Sequence, residues 1–223
     1  MHLRRTAHPT VGWATVSRTT SGGFGPRWCY TLMYAKNLEV IMRFSATSIT
    51  TDPVFTPEQC GQLIHSYSSK LKDAGLGAKG VKDGSIRKTL AYPIETTDDK
   101  ALYDLVIGAA IQVNSEVWNY SLQGADRLQF LKYNIGGHYG WHLDIGSGAH
   151  MYRKLSFVIP LSPPESYDGG ELIIKAGNKE RSAPLEQGKM ILFPSFILHK
   201  VTPVTRGERY MLVGWLRGES PFQ

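Results

Sequence analysis

From Gly124 onward the chain is a series of short β-forming runs, each closed by turn residues, and this punctuation constrains the fold more than any other feature. Apolar, β-branched and aromatic residues concentrate at 128–133, 154–161, 171–175, 190–193, 197–201 and 209–216. Between them stand Asn134-Ile135-Gly136-Gly137, Asp168-Gly169-Gly170 and Arg206-Gly207, all favourable turn chemistry. Runs this short suit strands and not helices. Six or more of them, with such separators, predict an antiparallel sandwich or barrel.

The region upstream carries the helical signal. Thr56-Pro57-Glu58-Gln59 places a capping Thr, a Pro in the first helical position and a Gln three residues after the cap. Cys60, Leu63, Ile64, Tyr67 and Leu71 then recur at helical spacing, and Gly75 and Gly77 are expected to end the helix. Residues 78–87 read as a loop. A second helix is expected over residues 98–118, with Leu102, Leu105, Val106, Ala109, Val113 and Val117 on one face. The expected class is therefore α+β, mainly β, with N-terminal helices packed on one sheet of a β-sandwich.

A length of 223 residues suits one ordinary domain, expected over 42–223, with helical support at 54–120 and the β core at 125–218. Of the net charge of +6, a share of +4 falls in residues 1–41, where Arg4, Arg5, Arg18, Arg27 and Lys36 face Glu39 alone. The remaining +2 is too small for the basic stripe of a nucleic-acid protein, so such a partner is not expected. Residues 1–41 have no strand or helix periodicity. Their Arg- and Ser-rich, acid-poor composition fits an organelle-targeting segment, but the lack of an amphipathic helix favours a disordered extension ahead of Met42. Cys29 and Cys60 are far apart and show no metal-type spacing, which suits two reduced thiols and a cytoplasmic location. No run of about 20 apolar residues is present to span a membrane. The sequence carries no reading of oligomeric state.

The chemistry concentrates in three places. His142 and Asp144 are two apart, so on an extended chain both project to one face and can converge on one ion. His199 follows 55 residues after Asp144, beside the apolar Phe196-Ile197-Leu198. Two imidazoles and one carboxylate leave adjacent coordination positions open, which suits non-haem iron(II). Zinc accepts the same three ligands with water in the fourth position, so the triad alone leaves both metals open.

Arg209 bears on that choice. Residues 199–209 read as strand, turn, strand, and a hairpin centred near Val204 would return Arg209 roughly opposite His199. Arg209, Met211, Val213 and Trp215 would then share one strand face. A guanidinium there can hold a distal carboxylate through two parallel hydrogen bonds. Arg206 reads instead as a surface residue in a polar turn. Tyr139 reads as packing.

The run Tyr133-Asn134-Ile135-Gly136-Gly137-His138-Tyr139-Gly140-Trp141-His142-Leu143-Asp144, followed by His199, Val201, Pro203, Val204, Gly207 and Arg209, resembles the prolyl-4-hydroxylase-like branch of the 2-oxoglutarate/iron(II) oxygenases. Asp168-Gly169-Gly170-Glu171-Leu172 and Pro194-Ser195 before Leu198-His199 look like that branch too. The resemblance covers about residues 128–218, and loosely the helices from residue 54; it leaves out residues 1–41.

The resemblance implies a double-stranded β-helix, a jelly-roll or cupin-like core, with iron at one mouth. It implies that His142, Asp144 and His199 bind Fe(II), that Arg209 binds the C5 carboxylate of 2-oxoglutarate, and that Tyr133 assists. It implies a dioxygenase that hydroxylates an unactivated C–H bond of a peptidyl (prolyl, for example) or small-molecule substrate with O₂, releasing succinate and CO₂, with ascorbate as a supporting reductant. Related halogenases have a small residue in place of the carboxylate, so Asp144 points to hydroxylation. The rival readings are a nucleic-acid demethylase of the same superfamily, a non-catalytic jelly-roll binding module and a zinc hydrolase. The substrate itself is expected to be selected by the loops 78–87, 147–153 and 162–168.

Overall fold

The computed structural model describes residues 47–74 and 83–222. The expectations for residues 1–41, for Cys29 and for residues 78–82 of the first loop lie outside them, as do Gly75 and Gly77 themselves.

The elements run in the order β1 (Ile49–Pro53), α1 (Pro57–Tyr67), β2 (Lys72–Asp73), β3 (Arg87–Lys88), β4 (Leu90–Ile94), α2 (Lys100–Val117), β5 (Leu122–Ala125), β6 (Leu128–Tyr133) and β7 (His138–His142). They continue as β8 (Arg153–Pro160), β9 (Tyr167–Gly169), β10 (Leu172–Ala176), β11 (Lys179–Ser182), β12 (Lys189–Pro194), β13 (Leu198–Val201), β14 (Val204–Gly207) and β15 (Arg209–Gly218). One eight-stranded sheet has the order β1-β12-β8-β15-β6-β4-β2, with β5 also on β15. A five-stranded sheet has the order β11-β10-β13-β7-β3, and β14 and β9 form a separate pair. All pairings are antiparallel. This is the expected mainly-β double-stranded β-helix core with helices on one sheet.

The large sheet is buried on both faces, which explains its nearly continuous apolar strands. In β6, Leu128 and Phe130 turn outward to the helices, while Leu131 and Tyr133 turn inward. In β15, Leu212 and Leu216 face the helices, and Met211, Val213 and Trp215 face the interior. The helices contribute Cys60, Leu63 and Tyr67 from α1 and Leu102, Val106, Ile107, Ala110 and Val113 from α2. Each fully buried large side chain contributes about 1.5–3 kcal/mol. The stripe on α2 is thus rotated from the expected one: Ile107 and Ala110 are buried, and Leu105, Ala109 and Val117 flank them.

The capping box forms as the sequence predicts: the Gln59 N–H donates to Thr56 Oγ1 at 3.3 Å and the Thr56 N–H donates to Gln59 Oε1 at 2.9 Å. The helix, however, ends at Tyr67, short of the expected glycines. There the Ser66 and Ser68 hydroxyls donate to the carbonyls of Gln62 and Ile64, and such bonds compete with continued helix. Arg87, the last residue of the expected loop, is strand. The other unexpected strands are short or polar, such as β11, whose four residues are all exposed.

The expected hairpin from His199 to Arg209 is not what forms. β13 lies in the small sheet and β15 in the large one. Between them β14 pairs with β9, Arg206 against Asp168, joined by an ion pair at 2.6 Å. The Pro203 carbonyl accepts from the Gly170 N–H, and Gly207 takes φ +71 where a Cβ would lie 2.1 Å from the Ser166 carbonyl oxygen. These non-local partners carry the chain across the open end from one sheet to the other. Arg209 consequently pairs with Tyr133 of β6 and not with His199.

Candidate active site

β7 and β13 are adjacent antiparallel strands, and His142 and His199 are directly paired across them. Both imidazoles turn inward. Asp144 lies just beyond the end of β7, its backbone N–H donating to the Ser195 carbonyl at 3.0 Å and its carbonyl accepting from Arg153 Nη1 at 3.1 Å. The structure brings the three residues together: one donor atom from each lies within 4.8 Å of the others. His142 Nε2 is 3.8 Å from Asp144 Oδ1, and His199 Nε2 is 3.5 Å from Asp144 Oδ2.

Second partners orient the rings. His142 Nδ1 is 2.8 Å from the Gly140 carbonyl and His199 Nδ1 is 2.9 Å from the Ile197 carbonyl. A carbonyl only accepts, so each Nδ1 carries a proton and each Nε2 is the nitrogen left facing the centre. Burial, and then the neighbouring His199, pushes His142 down to about 4, so it is neutral at ordinary pH. Burial pushes the Asp144 carboxyl up, but the two imidazoles and hydrogen bonds from Ser156 and Trp215 outweigh it and hold it below the usual carboxylate range. Two imidazole nitrogens and a carboxylate oxygen converging in this way fit a divalent cation such as iron.

Tyr133, Arg209 and the three ligand candidates line one cavity of about 780 Å³. Arg209 is 1 % exposed, and Nε, Nη1 and Nη2 all lack a hydrogen-bond partner among the described residues. Its guanidinium carbon stands 5.0 Å from the ring centre of buried Tyr133. A buried guanidinium without an anion is strongly unfavourable, and a ligand carboxylate would offset that cost. Arg206 is exposed, as the sequence implies, but it stands in strand β14 opposite Asp168 and not in a turn. Lys200 sits outside, over Trp141 and 3.7 Å from Glu180. Met211, Val213 and Trp215 share the cavity wall with Arg209, as expected from their alternation.

Tyr139 does more than fill space: its ring stacks on His142 at 3.5 Å and 13°. Arg87 stands 4.8 Å from that ring. Arg87 and Arg153 line the cavity from the ends of the expected loops 78–87 and 147–153, whereas Asp126 and Arg217 line it without having been anticipated. Of these two, Arg217 had a signal in the sequence, since it continues the odd-numbered face of β15. Of the expected specificity loops, 147–153 borders the cavity through Ser147, Ala149, His150 and Arg153, whereas 162–168 does not.

The profile of the 2OG-Fe(II) oxygenase superfamily matches residues 128–217. A PKHD-type hydroxylase of Parvibaculum lavamentivorans is 34 % identical over 155 residues, covering 68 % of this chain and 67 % of that protein. A PKHD-type hydroxylase of Hyphomonas neptunium is 51 % identical over 86 residues, a match that spans 37 % of this chain and only 38 % of that protein. The fold is similar to that of a prolyl hydroxylase of Trichoplax adhaerens, solved in complex with a hypoxia inducible factor oxygen degradation domain peptide fragment. The TM-score is 0.66 at 20 % identity, covering 78 % of this chain and 85 % of that one.

Proposed function

The chain belongs to the 2-oxoglutarate/iron(II) oxygenase superfamily, among its PKHD-type hydroxylases, and on that premise we propose that it hydroxylates an unactivated C–H bond of a peptidyl or small-molecule substrate, consuming O₂ and 2-oxoglutarate and releasing succinate and CO₂. One observation carries the reading furthest: a buried Arg209 guanidinium, without a hydrogen-bond partner among the described residues, faces the same cavity as the His142–Asp144–His199 cluster. Zinc-water hydrolysis does not itself require that cation, whereas a dicarboxylate co-substrate supplies the anion it lacks.

In this reading His142, Asp144 and His199 hold Fe(II), which when bound supplies the redox chemistry that couples O₂ and 2-oxoglutarate to C–H oxidation. The two imidazoles keep their Nδ1 protons on backbone carbonyls, so the Nε2 lone pairs need no rearrangement to bind. Arg209 binds the distal C5 carboxylate and so sets the direction in which 2-oxoglutarate enters. Tyr133 backs the guanidinium with its ring and assists the co-substrate. Leu131, Met211, Val213 and Trp215 keep water from the wall between anchor and centre. Ascorbate is the proposed reductant that returns oxidised iron to the ferrous state.

No helix among the described residues is long and apolar enough to cross a membrane. The buried, unpaired thiol of Cys60 suits a reducing compartment, and the cytoplasm is the proposed location.

The test is succinate release from 2-oxoglutarate by purified protein with and without Fe(II), alongside metal analysis after anaerobic purification. Iron-dependent succinate is expected. Its absence with every candidate substrate and in their absence, with zinc as the resident metal, would sink the oxygenase reading.

A further inference from the structure

Arg217 supplies a positive charge at the far end of the cavity that neither the metal centre nor the co-substrate uses. Arg209, Met211, Val213, Trp215 and Arg217 are alternate residues of β15 along one cavity wall. Arg209 ends that row in the buried interior. Arg217 ends it roughly 25 Å away by strand rise, with its side chain 44 % exposed.

Arg153 of β8 is the direct cross-strand neighbour of Arg217, and like charges so placed repel. Asp126 lies between them. It accepts from Arg153 Nε at 2.7 Å and from Arg217 Nη1 at only 3.4 Å. The Arg153 guanidinium is held further, with Nη1 on the Asp144 carbonyl at 3.1 Å and its central carbon 3.8 Å from the Trp215 ring centre. Among the described residues Arg217 has one long contact, to Asp126, and the rest of its fork has no hydrogen-bond partner. Two arginines against one aspartate leave one positive charge at this end.

The whole cavity repeats that imbalance. Among the described lining residues there are five arginines (87, 127, 153, 209 and 217) and three carboxylates (Glu95, Asp126 and Asp144), a balance of +2. A divalent cation and doubly charged 2-oxoglutarate cancel each other, so the loaded cavity keeps +2.

We propose that the prime substrate carries a carboxylate and that Arg217 binds it at the outer end of the cavity, while the carbon to be oxidised reaches the His142–Asp144–His199 centre. A planar guanidinium matches a carboxylate through two parallel hydrogen bonds, and the residual positive potential favours the anion's entry. An acidic side chain or C-terminus of a peptide supplies such a group, and so does a free amino acid. The inference rests on the oxygenase reading above.

The test uses the full chain with Fe(II), 2-oxoglutarate and ascorbate against matched pairs. These are randomised proline-containing peptides with Glu or Gln at fixed distances, peptides ending in acid or amide, and free amino acids with their amides. The readout is a mass gain of one oxygen, followed by kcat and KM for each oxidised pair. The acid member is expected to show a KM lower by about tenfold or more, the range of a charged hydrogen bond. Arg217→Gln should erase that preference by raising the acid member's KM, with kcat and the 2-oxoglutarate KM unchanged. Arg217→Glu should transfer the preference to Lys-bearing peptides. A preference among peptides alone, or among free acids alone, identifies the source of the carboxylate. The proposal is overturned by equal use of acid and amide, by a preference that survives Arg217→Gln, by oxidation confined to uncharged compounds or an oligonucleotide, or by no oxidised product at all. Substrate-independent succinate release separates the two readings: it persists if only the Arg217 assignment is wrong and is missing if the site is not an oxygenase's.

Discussion

Tyr139 lies flat on His142, ring centres 3.5 Å apart and planes inclined by 13°. With Nδ1 held by the Gly140 carbonyl, the imidazole is fixed both in tilt and in rotation about its own plane. Tyr139→Phe should keep the stack and leave metal affinity within about twofold. Tyr139→Ala should weaken Mn(II) or Fe(II) binding by about tenfold or more, the usual scale for outer-shell partners. Titration calorimetry under anaerobic conditions reads the difference without turnover. Equal affinity in the two variants would show that the stack has no part in holding the ligand.

Arg209 predicts a trade between stability and function. Arg209→Ala should raise the 2-oxoglutarate KM sharply, by about 1.5–3 kcal/mol for each charged hydrogen bond lost. Arg209→Met, close in volume, should do the same while leaving the apoprotein as stable or more stable, because it removes a buried charge with no hydrogen-bond partner among the described residues. Thermal unfolding with and without 2-oxoglutarate checks both parts: the co-substrate should raise Tm in the unaltered protein and not in Arg209→Met. An unchanged KM in Arg209→Ala would remove the anchor assignment.

Gly170 links a turn to the anchor. It sits at φ +62, and a Cβ there would lie 2.8 Å from Arg209 Cδ and 2.9 Å from Val204 Cγ2. Gly170→Ala should therefore be destabilised, by about 1 kcal/mol or more, and should also raise the 2-oxoglutarate KM by displacing the guanidinium. Gly177→Ala, also at positive φ but with open space around its Cβ, is the control: stability should fall and KM should not change.

Cys60 sets a pH dependence. Burial pushes its thiol up to about 12, from an ordinary value of 9.0. Between those limits the unfolded chain has lost the proton and the folded chain has kept it, so stability falls as pH rises above about 9. A Cys29→Ser protein should resist iodoacetamide at pH 8 until denaturant unfolds it, and Cys60→Ala should flatten the alkaline fall in denaturation midpoint. Rapid labelling of the folded protein would contradict the burial on which both outcomes depend.

What the sequence determined by itself was local or carried by alternation. Thr56, Pro57 and Gln59 build a cap from three neighbouring residues, so the start of α1 was legible. The residues of β6 match the expected run because both its faces are buried and its composition is uniformly strand-like. His142, Asp144 and His199 were readable as one cluster, since a two-residue spacing and a later histidine are properties of the chain, and the structure brings their donor atoms together.

What only the tertiary structure decided depended on partners remote in sequence. The route from His199 to Arg209 looked like a hairpin, because nothing in residues 199–209 reveals that Asp168 and Gly170 will claim the intervening segment. Arg209 was singled out from the sequence, yet its burial and its place against Tyr133 come from the sheet opposite the one that holds the histidines. The charge of the cavity was equally out of reach: Arg87, Arg127, Arg153 and Arg217 are scattered through the chain, and only folding turns them toward one space. Alternation tells which residues share a face; which face meets which is settled by non-local packing and hydrogen bonding.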